Sequence, residues 1–242
     1  MGFENGEFLE VEFSIWRSVD NELLSTTDEA KAKEAGIYES EARYGASLVV
    51  LGSGDMLPNV EKELKAMKEG DVKRFTLKPE EAFGNRNEDL IRVMPLSEFK
   101  KHDLNPHPGM QINLDGVRAV VKSVNSGRVV VDANPPEAGN SITYEIKIVK
   151  SITTDEGKIG SILKTHRISY NKVSMSKDSA ELEIGHNAVN NPNYYARLSG
   201  TVSDILKYIN SVSNVRVIEE YKRDESRKGE NAGQGHNHAA PA

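Results

Sequence analysis

Leu51 to Glu61 reads LGSGDMLPNVE and Pro79 to Gly84 reads PEEAFG, and these two stretches decide how the rest of the chain is read. In the first, a tight glycine loop leads through Met56 and Leu57 into Pro58, a residue suited to the first helical turn because its missing N–H would have no intrahelical partner there. From that point Leu57, Val60, Leu64 and Met67 recur at spacings of three and four, which predicts a helix starting at about Pro58 with one buried side. Gly70 and Asp71 end it in a turn. Met56, Leu57 and Val60 then face one cavity.

Strands flank this helix. Glu7 to Ile15 alternates, with Val11, Phe13 and Ile15 on one side and Glu10, Glu12 and Ser14 on the other, the period of a half-buried strand. Val72 to Leu77 and Ile142 to Ile148 repeat the pattern, and in the latter Ile142, Tyr144, Ile146 and Ile148 share a face. An antiparallel sheet wrapped on the helix would bury these faces together. Trp16 falls on the polar parity of its strand and is read as packing rather than function.

Between Gly84 and the strand beginning near Val129 lies a segment far longer than the typical connection of about 4 to 6 residues, so it should be a domain of its own. Its runs QINL, VRAVVKSV and RVVVDA are strand-like, and Asn125-Ser126-Gly127 supplies a turn between the last two. After Ser151 the pattern changes. Lys158 to Lys164 reads as a short helix, Ser169 to Ile184 as two strands around Lys177-Asp178, and Val215 to Tyr221 as a last strand. A longer helix is read from Thr201, where Thr201 and Asp204 have capping-box-like spacing, through Val202, Ile205, Leu206, Ile209 and Val212. From Arg223 onward the chain is too poor in apolar residues to order itself.

Together, LGSGDMLPNVE, PEEAFG, RVMPLSEF and NSGRVVVDAN resemble the FK506-binding-protein (FKBP) class of peptidyl-prolyl isomerases, and in particular the SlyD-type and long archaeal members that carry an inserted insert-in-flap chaperone domain. The resemblance implies an α+β fold: an FKBP half-barrel from residues 1–84 and 132–153, an inserted β-rich domain at 85–131 and a C-terminal α+β domain at 154–222, with 223–242 a disordered tail. It implies catalytic roles for Phe13, Leu57, Phe83 and Tyr144, and substrate contacts for Leu24, Met56, Val60 and Ile142. In the inserted domain Met94 and Met110 are candidates for binding unfolded chains, since methionine adapts to many shapes, or for filling a small core.

The departures from the family pattern are equally specific. Leu23-Leu24-Ser25 replaces a pocket carboxylate by a hydroxyl, Leu57-Pro58-Asn59 stands for the usual IPG, and Val60 is a smaller floor residue than Trp or Leu. Phe83 lacks the rim hydroxyl of a tyrosine. The FNHPLAG-like segment reads Ala133-Asn134-Pro135-Pro136-Glu137-Ala138-Gly139, losing an aromatic, a histidine and a leucine. Low isomerase activity is the expectation, with a non-catalytic holdase or adaptor as the alternative. Self-pairing through residues 154 to 223 is a third reading.

Composition excludes other classes. A net charge of -6 argues against an electrostatic nucleic-acid binder, and the absence of cysteine excludes disulfides and thiolate chemistry. Gly52-Ser53-Gly54 is not followed by GxGxxG or GK(S/T), so no nucleotide cofactor is expected, and no other cofactor or metal is called for. His166 has no partner at ligand spacing, and His236 and His238 alone are a weak chelating pair. No stretch approaches the roughly 20 apolar residues of a membrane span, and the acidic MGFENGEFLE start has no signal-peptide pattern. A cytoplasmic helper of unfolded or proline-containing chains is the expectation.

Overall fold

The alternating residues near the N-terminus form β1 (Phe8–Arg17) in the computed structural model, which describes residues 2–114, 116–185 and 193–221. This strand pairs antiparallel with β3 (Ser47–Val50) through Phe8 to Val11 and with β2 (Glu22–Thr26) through Ser14 to Arg17. On its other side lies β9 (Ile142–Ile152), which pairs in turn with β4 (Val72–Leu77). The register sets Phe75 opposite Tyr144 and Leu77 opposite Ile142.

One helix closes this five-stranded sheet. α2 (Pro58–Ala66) has proline in its first turn and buries Val60 and Leu64, four residues apart on one face. They join Leu9, Val11, Met67, Ile142, Tyr144, Ile146 and Ile148 in a single apolar cluster. The half-barrel expected from alternation and periodicity is therefore present. Ser14, assigned by alternation to the polar face of β1, is buried instead, its hydroxyl 2.8 Å from that of Thr26. Beside β2 runs α1 (Glu29–Glu34), whose N-terminus is capped by the Asp28 carboxylate accepting from the Ala30 and Lys31 amides. Lys31 Nζ and the Arg74 guanidinium lie 5.7 and 4.7 Å from the Trp16 ring centre, giving that residue a packing role on the outer face.

A second sheet, in the order β5-β8-β7-β6, is built from β5 (Ile91–Pro95), β6 (Gln111–Leu114), β7 (Val117–Asn125) and β8 (Arg128–Asp132). Ser126 and Gly127 make the β7–β8 turn with φ of 47° and 78°, the left-handed pair that matches the twist of a hairpin. α3 (Leu96–Lys101) covers the sheet through Phe99, which is buried with Val121, Val129 and Val131 in a core of its own. The two segments joining this sheet to the half-barrel are fastened together. Asn87 N–H donates to Asn134 Oδ1 at 2.8 Å, Asn134 Nδ2 to the Asn87 carbonyl at 2.9 Å, and Ala133 N–H to the Leu90 carbonyl at 3.0 Å.

Residues up to Ser151 form one compact unit and those from Ile152 another. In the second, α4 (Asp155–Thr165) is capped by Thr154, and β10 (Tyr170–Ser176) turns through Lys177, at φ 55°, into β11 (Ser179–Ile184). β11 pairs in parallel with β12 (Asn214–Glu219) after a crossover that contains α5 (Tyr194–Tyr208). The reading of Thr201 as a helix start is corrected here. Thr201 is fully buried inside α5, its hydroxyl donates to the Arg197 carbonyl at 2.9 Å, and Asp204 meets His166 Nε2 at 2.7 Å. The tail from Arg223, with His236 and His238, lies outside the described residues.

Because Leu64 is fully buried between α2 and the sheet, Leu64→Ala should destabilise the first unit by about 2–5 kcal/mol in urea unfolding. A loss below about 1 kcal/mol would contradict this account of the core.

Candidate functional site

Three elements bring apolar side chains to one place. β9 supplies Ile142 and Tyr144 from its inner face, the first turn of α2 supplies Val60, and the loop before it supplies Met56 and Leu57. Val60 and Ile142 are buried, whereas Phe13, Leu24, Met56 and Leu57 are half-buried and pack against the same cluster. The arrangement is a greasy floor with half-exposed walls.

Phe83 stands apart. It is 41% exposed and is not part of the cluster, although its neighbour Ala82 packs on it. Its turn is held on both sides: Asn59 Nδ2 donates to the Glu81 carbonyl at 3.1 Å, and Gly139 N–H donates to the Gly84 carbonyl at 2.8 Å. One aromatic of the cluster escaped the sequence reading. Phe75 stacks on Tyr144 with ring centres 5.6 Å apart and planes 9° from parallel. Its signal was present in the alternation of Val72 to Leu77, but the β4–β9 register that pairs it with Tyr144 is not readable from either strand alone.

None of these side chains carries a charge, and Tyr144 supplies the one hydroxyl. That hydroxyl has no hydrogen-bond partner among the described residues, and since no buried side-chain polar atom is left unpaired, solvent reaches it. Burial of the ring pushes its pKa above the usual tyrosine value, so it stays a proton donor at neutral pH. A second donor is the Leu57 backbone N–H, for which no acceptor is found among the described residues; the Leu57 carbonyl instead accepts from Val60 and Glu61 at 2.9 and 3.0 Å. Apolar side chains and two donors without a protein acceptor are thus drawn from the same cluster and the loop that leads into it.

The segment from Ala133 to Gly139 is fastened by charge. Glu137 accepts two parallel hydrogen bonds of 2.9 Å from Arg17 Nε and Nη2, and a third of 3.1 Å from Asn140. The Arg17 guanidinium holds the Glu137 carboxyl below the usual glutamate pKa, against the opposing effect of burial. Arg17 also binds Asp20 and Glu22.

In the second sheet, a groove of about 200 Å³ is lined by Met94, Phe99, Leu104, Ile112 and Leu114. Met110 packs against the core of that sheet but is not among the groove's lining residues. Among the described residues no group of three or more histidine or acidic side chains is gathered to hold a metal ion, and no helix is long and apolar enough to cross a membrane.

Comparison with known proteins gives matches over these same elements. The family model described as FKBP-type peptidyl-prolyl cis-trans isomerase matches residues 6–100, and one described as FKBP26, IF domain, matches residues 92–136. A short-type peptidyl-prolyl cis-trans isomerase of Methanocaldococcus jannaschii is 30% identical over 145 residues, covering 60% of this chain and 91% of that relative. A probable FKBP-type 16 kDa peptidyl-prolyl cis-trans isomerase of Pseudomonas fluorescens is 31% identical over 105 residues, 41% of this chain and 68% of the relative. The FKBP-type isomerase SlyD of Vibrio cholerae is 31% identical over 130 residues, 51% and 64% of the two chains.

The Arg17–Glu137 pair has a pH signature. A carboxyl whose folded pKa is depressed adds stability above its unfolded pKa, near 4.3, and loses it as pH falls below that value. Glu137→Gln should therefore cost about 1–2 kcal/mol at pH 7, because both groups keep some solvent contact, and the variant and wild-type curves should draw together as pH falls from about 4.3 through the lowered folded pKa. Parallel curves across that range in urea titrations would contradict the assignment.

Proposed function

Because the chain belongs to the FKBP-type peptidyl-prolyl cis-trans isomerases, we propose that the cleft around Val60, Ile142 and Tyr144 is where an X-Pro bond of an unfolded client turns. The observation that carries this reading is the ring of half-buried Phe13, Leu24, Met56 and Leu57 around a buried apolar floor that offers unpaired donors from Tyr144 and Leu57.

Rotation about the bond meets a barrier of about 18–20 kcal/mol because the planar amide is resonance-stabilised and the twisted one is not. No nucleophile is needed. Twisting removes charge separation, so a dry apolar cleft disfavours the planar form more than the twisted one. Phe13 and Leu24 wall the proline ring, Val60 and Ile142 floor it, and Met56 lies beside it in the loop. The Leu57 amide and the Tyr144 hydroxyl bind a substrate carbonyl as the bond turns. Phe83 closes the rim through its apolar face alone. With a serine at 25, Phe83 at the rim and Ala133, Pro135 and Glu137 in the loop, fewer groups hold the twisted state, and turnover is low.

We further assign residues 1–84 and 132–153 to the isomerase domain, 85–131 to an inserted chaperone domain and 154–222 to a third domain, which pairs with a second copy. Met94, half-buried along the groove of the second sheet, binds unfolded segments there, while Met110 serves the insert's core. Holding a client beside the cleft raises its local concentration and compensates for slow chemistry. Folding chains in the cytoplasm are the clients. The holdase reading draws on the loss of apolar side chains from residues 133–139, where the Glu137 carboxylate is spent on Arg17.

Phe13→Ala should lower kcat/KM on a proline tetrapeptide about tenfold, and Tyr144→Phe about three- to tenfold with unchanged thermal stability, as loss of one hydrogen bond formed in the twisted state would require. No change in either variant would contradict the cleft assignment. Replacing residues 85–131 by a short loop should leave tetrapeptide turnover within about twofold while slowing catalysis of a proline-limited refolding reaction at least about tenfold. Equal effects on both substrates would contradict a separate client-binding role.

A further inference from the structure

The connection from β2 to β3 runs over residues 27–46, far beyond the usual length of about 4–6, and it builds a second hollow against the sheet. After α1 the chain is held by hydrogen bonds within the connection itself. Gly45 N–H donates to the Thr27 carbonyl at 2.8 Å, Ala42 N–H to the Glu39 carbonyl at 3.1 Å, and Glu39 N–H to the Tyr44 hydroxyl at 3.0 Å. These bonds stand Tyr38 and Tyr44 together, ring centres 5.4 Å apart and planes 10° from parallel. The groove between this segment and the β1–β2 pair measures about 620 Å³.

Its inner end is formed by Phe13 and Leu24, two residues that also pack on the cleft cluster, so groove and cleft share a wall. Tyr38, Tyr44 and Arg43 line the outer part. We propose that this groove is a subsite for an aromatic side chain flanking the proline that turns in the cleft, so that the client is chosen by a residue near the proline as well as by the proline itself. The inference rests on the cleft reading given above.

The chemistry of the wall selects an aromatic occupant. Tyr38 is stacked with Tyr44 and has the Lys33 ammonium 4.8 Å from its ring centre, so the groove wall carries a braced aromatic pair that suits ring-to-ring contact with an incoming side chain. Arg43 has no carboxylate partner among the described residues, and its planar guanidinium can stack on the same ring. An extended client advances about 3.3 Å per residue, so a ring in the groove lies only a few residues from a proline in the cleft. The volume is within the range of about 300–1,000 Å³ typical of small-ligand sites.

Isomerisation would be followed by exchange NMR on two proline peptides that differ only in phenylalanine or alanine two residues from the proline. Wild-type protein should show a KM about three- to tenfold lower for the phenylalanine peptide, as an aromatic contact of ordinary strength gives. Tyr38→Ala, at a side chain 43% exposed, should abolish this preference and leave turnover of the alanine peptide unchanged. Ala42→Trp, filling the groove from its exposed rim, should do the same. Equal wild-type KM values, or a preference that survives both substitutions, would overturn the subsite and leave the cleft reading intact. Failure of wild-type protein to turn over either peptide would overturn both.

Discussion

Burial of one short helix against one strand sets everything else in the first unit. Val60, Leu64 and Met67 can reach Ile142, Tyr144, Ile146 and Ile148 only if α2 starts at Pro58, and that start leaves Leu57 as the last non-helical residue with its amide unpaired. The same contact that stabilises the fold therefore gathers the residues of the proposed cleft. Because rotation about an amide forms no covalent intermediate, shape, dryness and a few hydrogen bonds are what an isomerase has to supply.

Polar contacts then fix what surrounds that core. Asp132 is buried at the end of β8, where desolvation opposes its charge, yet hydrogen bonds from the Asn134 side chain and backbone together with nearby Arg86 and Lys122 hold its pKa below the usual aspartate value. Arg86 Nη2 approaches Asp132 at 2.5 Å. This knot ties both segments that lead into the second sheet, and the Arg17–Glu137 pair ties the following loop to β1. In the segment from Ala133 to Gly139, the charged fastening of Glu137 to Arg17 and Asn140 takes the place of an apolar contact.

Local chemistry made most elements legible. Proline at the start of α2, the alternation of Val72 to Leu77 and the Asn125-Ser126-Gly127 turn each encode their structure within a few residues, and all three are present. The start of α5 was misread because a threonine with an acid three residues later looks like a cap, whereas the apolar period continues back to Tyr194 and buries Thr201 in the helix. α1 escaped notice because EAKAKE has only Ala32 to bury, too little for a periodic signal. In the site, alternation pointed Phe13 and Tyr144 inward correctly, but Phe75 and the Tyr38–Tyr44 wall depend on register and on a long connection, which no single segment records. The exposure of Phe83 depends likewise on how its turn is tied to Asn59 and Gly139.

The most direct measurement is an NMR titration of the full chain with an unfolded peptide containing one proline, observing backbone amides and the tyrosine ring signals. Shift changes at Phe13, Leu24, Met56, Leu57 and Tyr144, accompanied by faster cis–trans exchange of the peptide, are the predicted result. Shifts confined to the second sheet around Met94, with the exchange rate of the free peptide unchanged, would contradict the account.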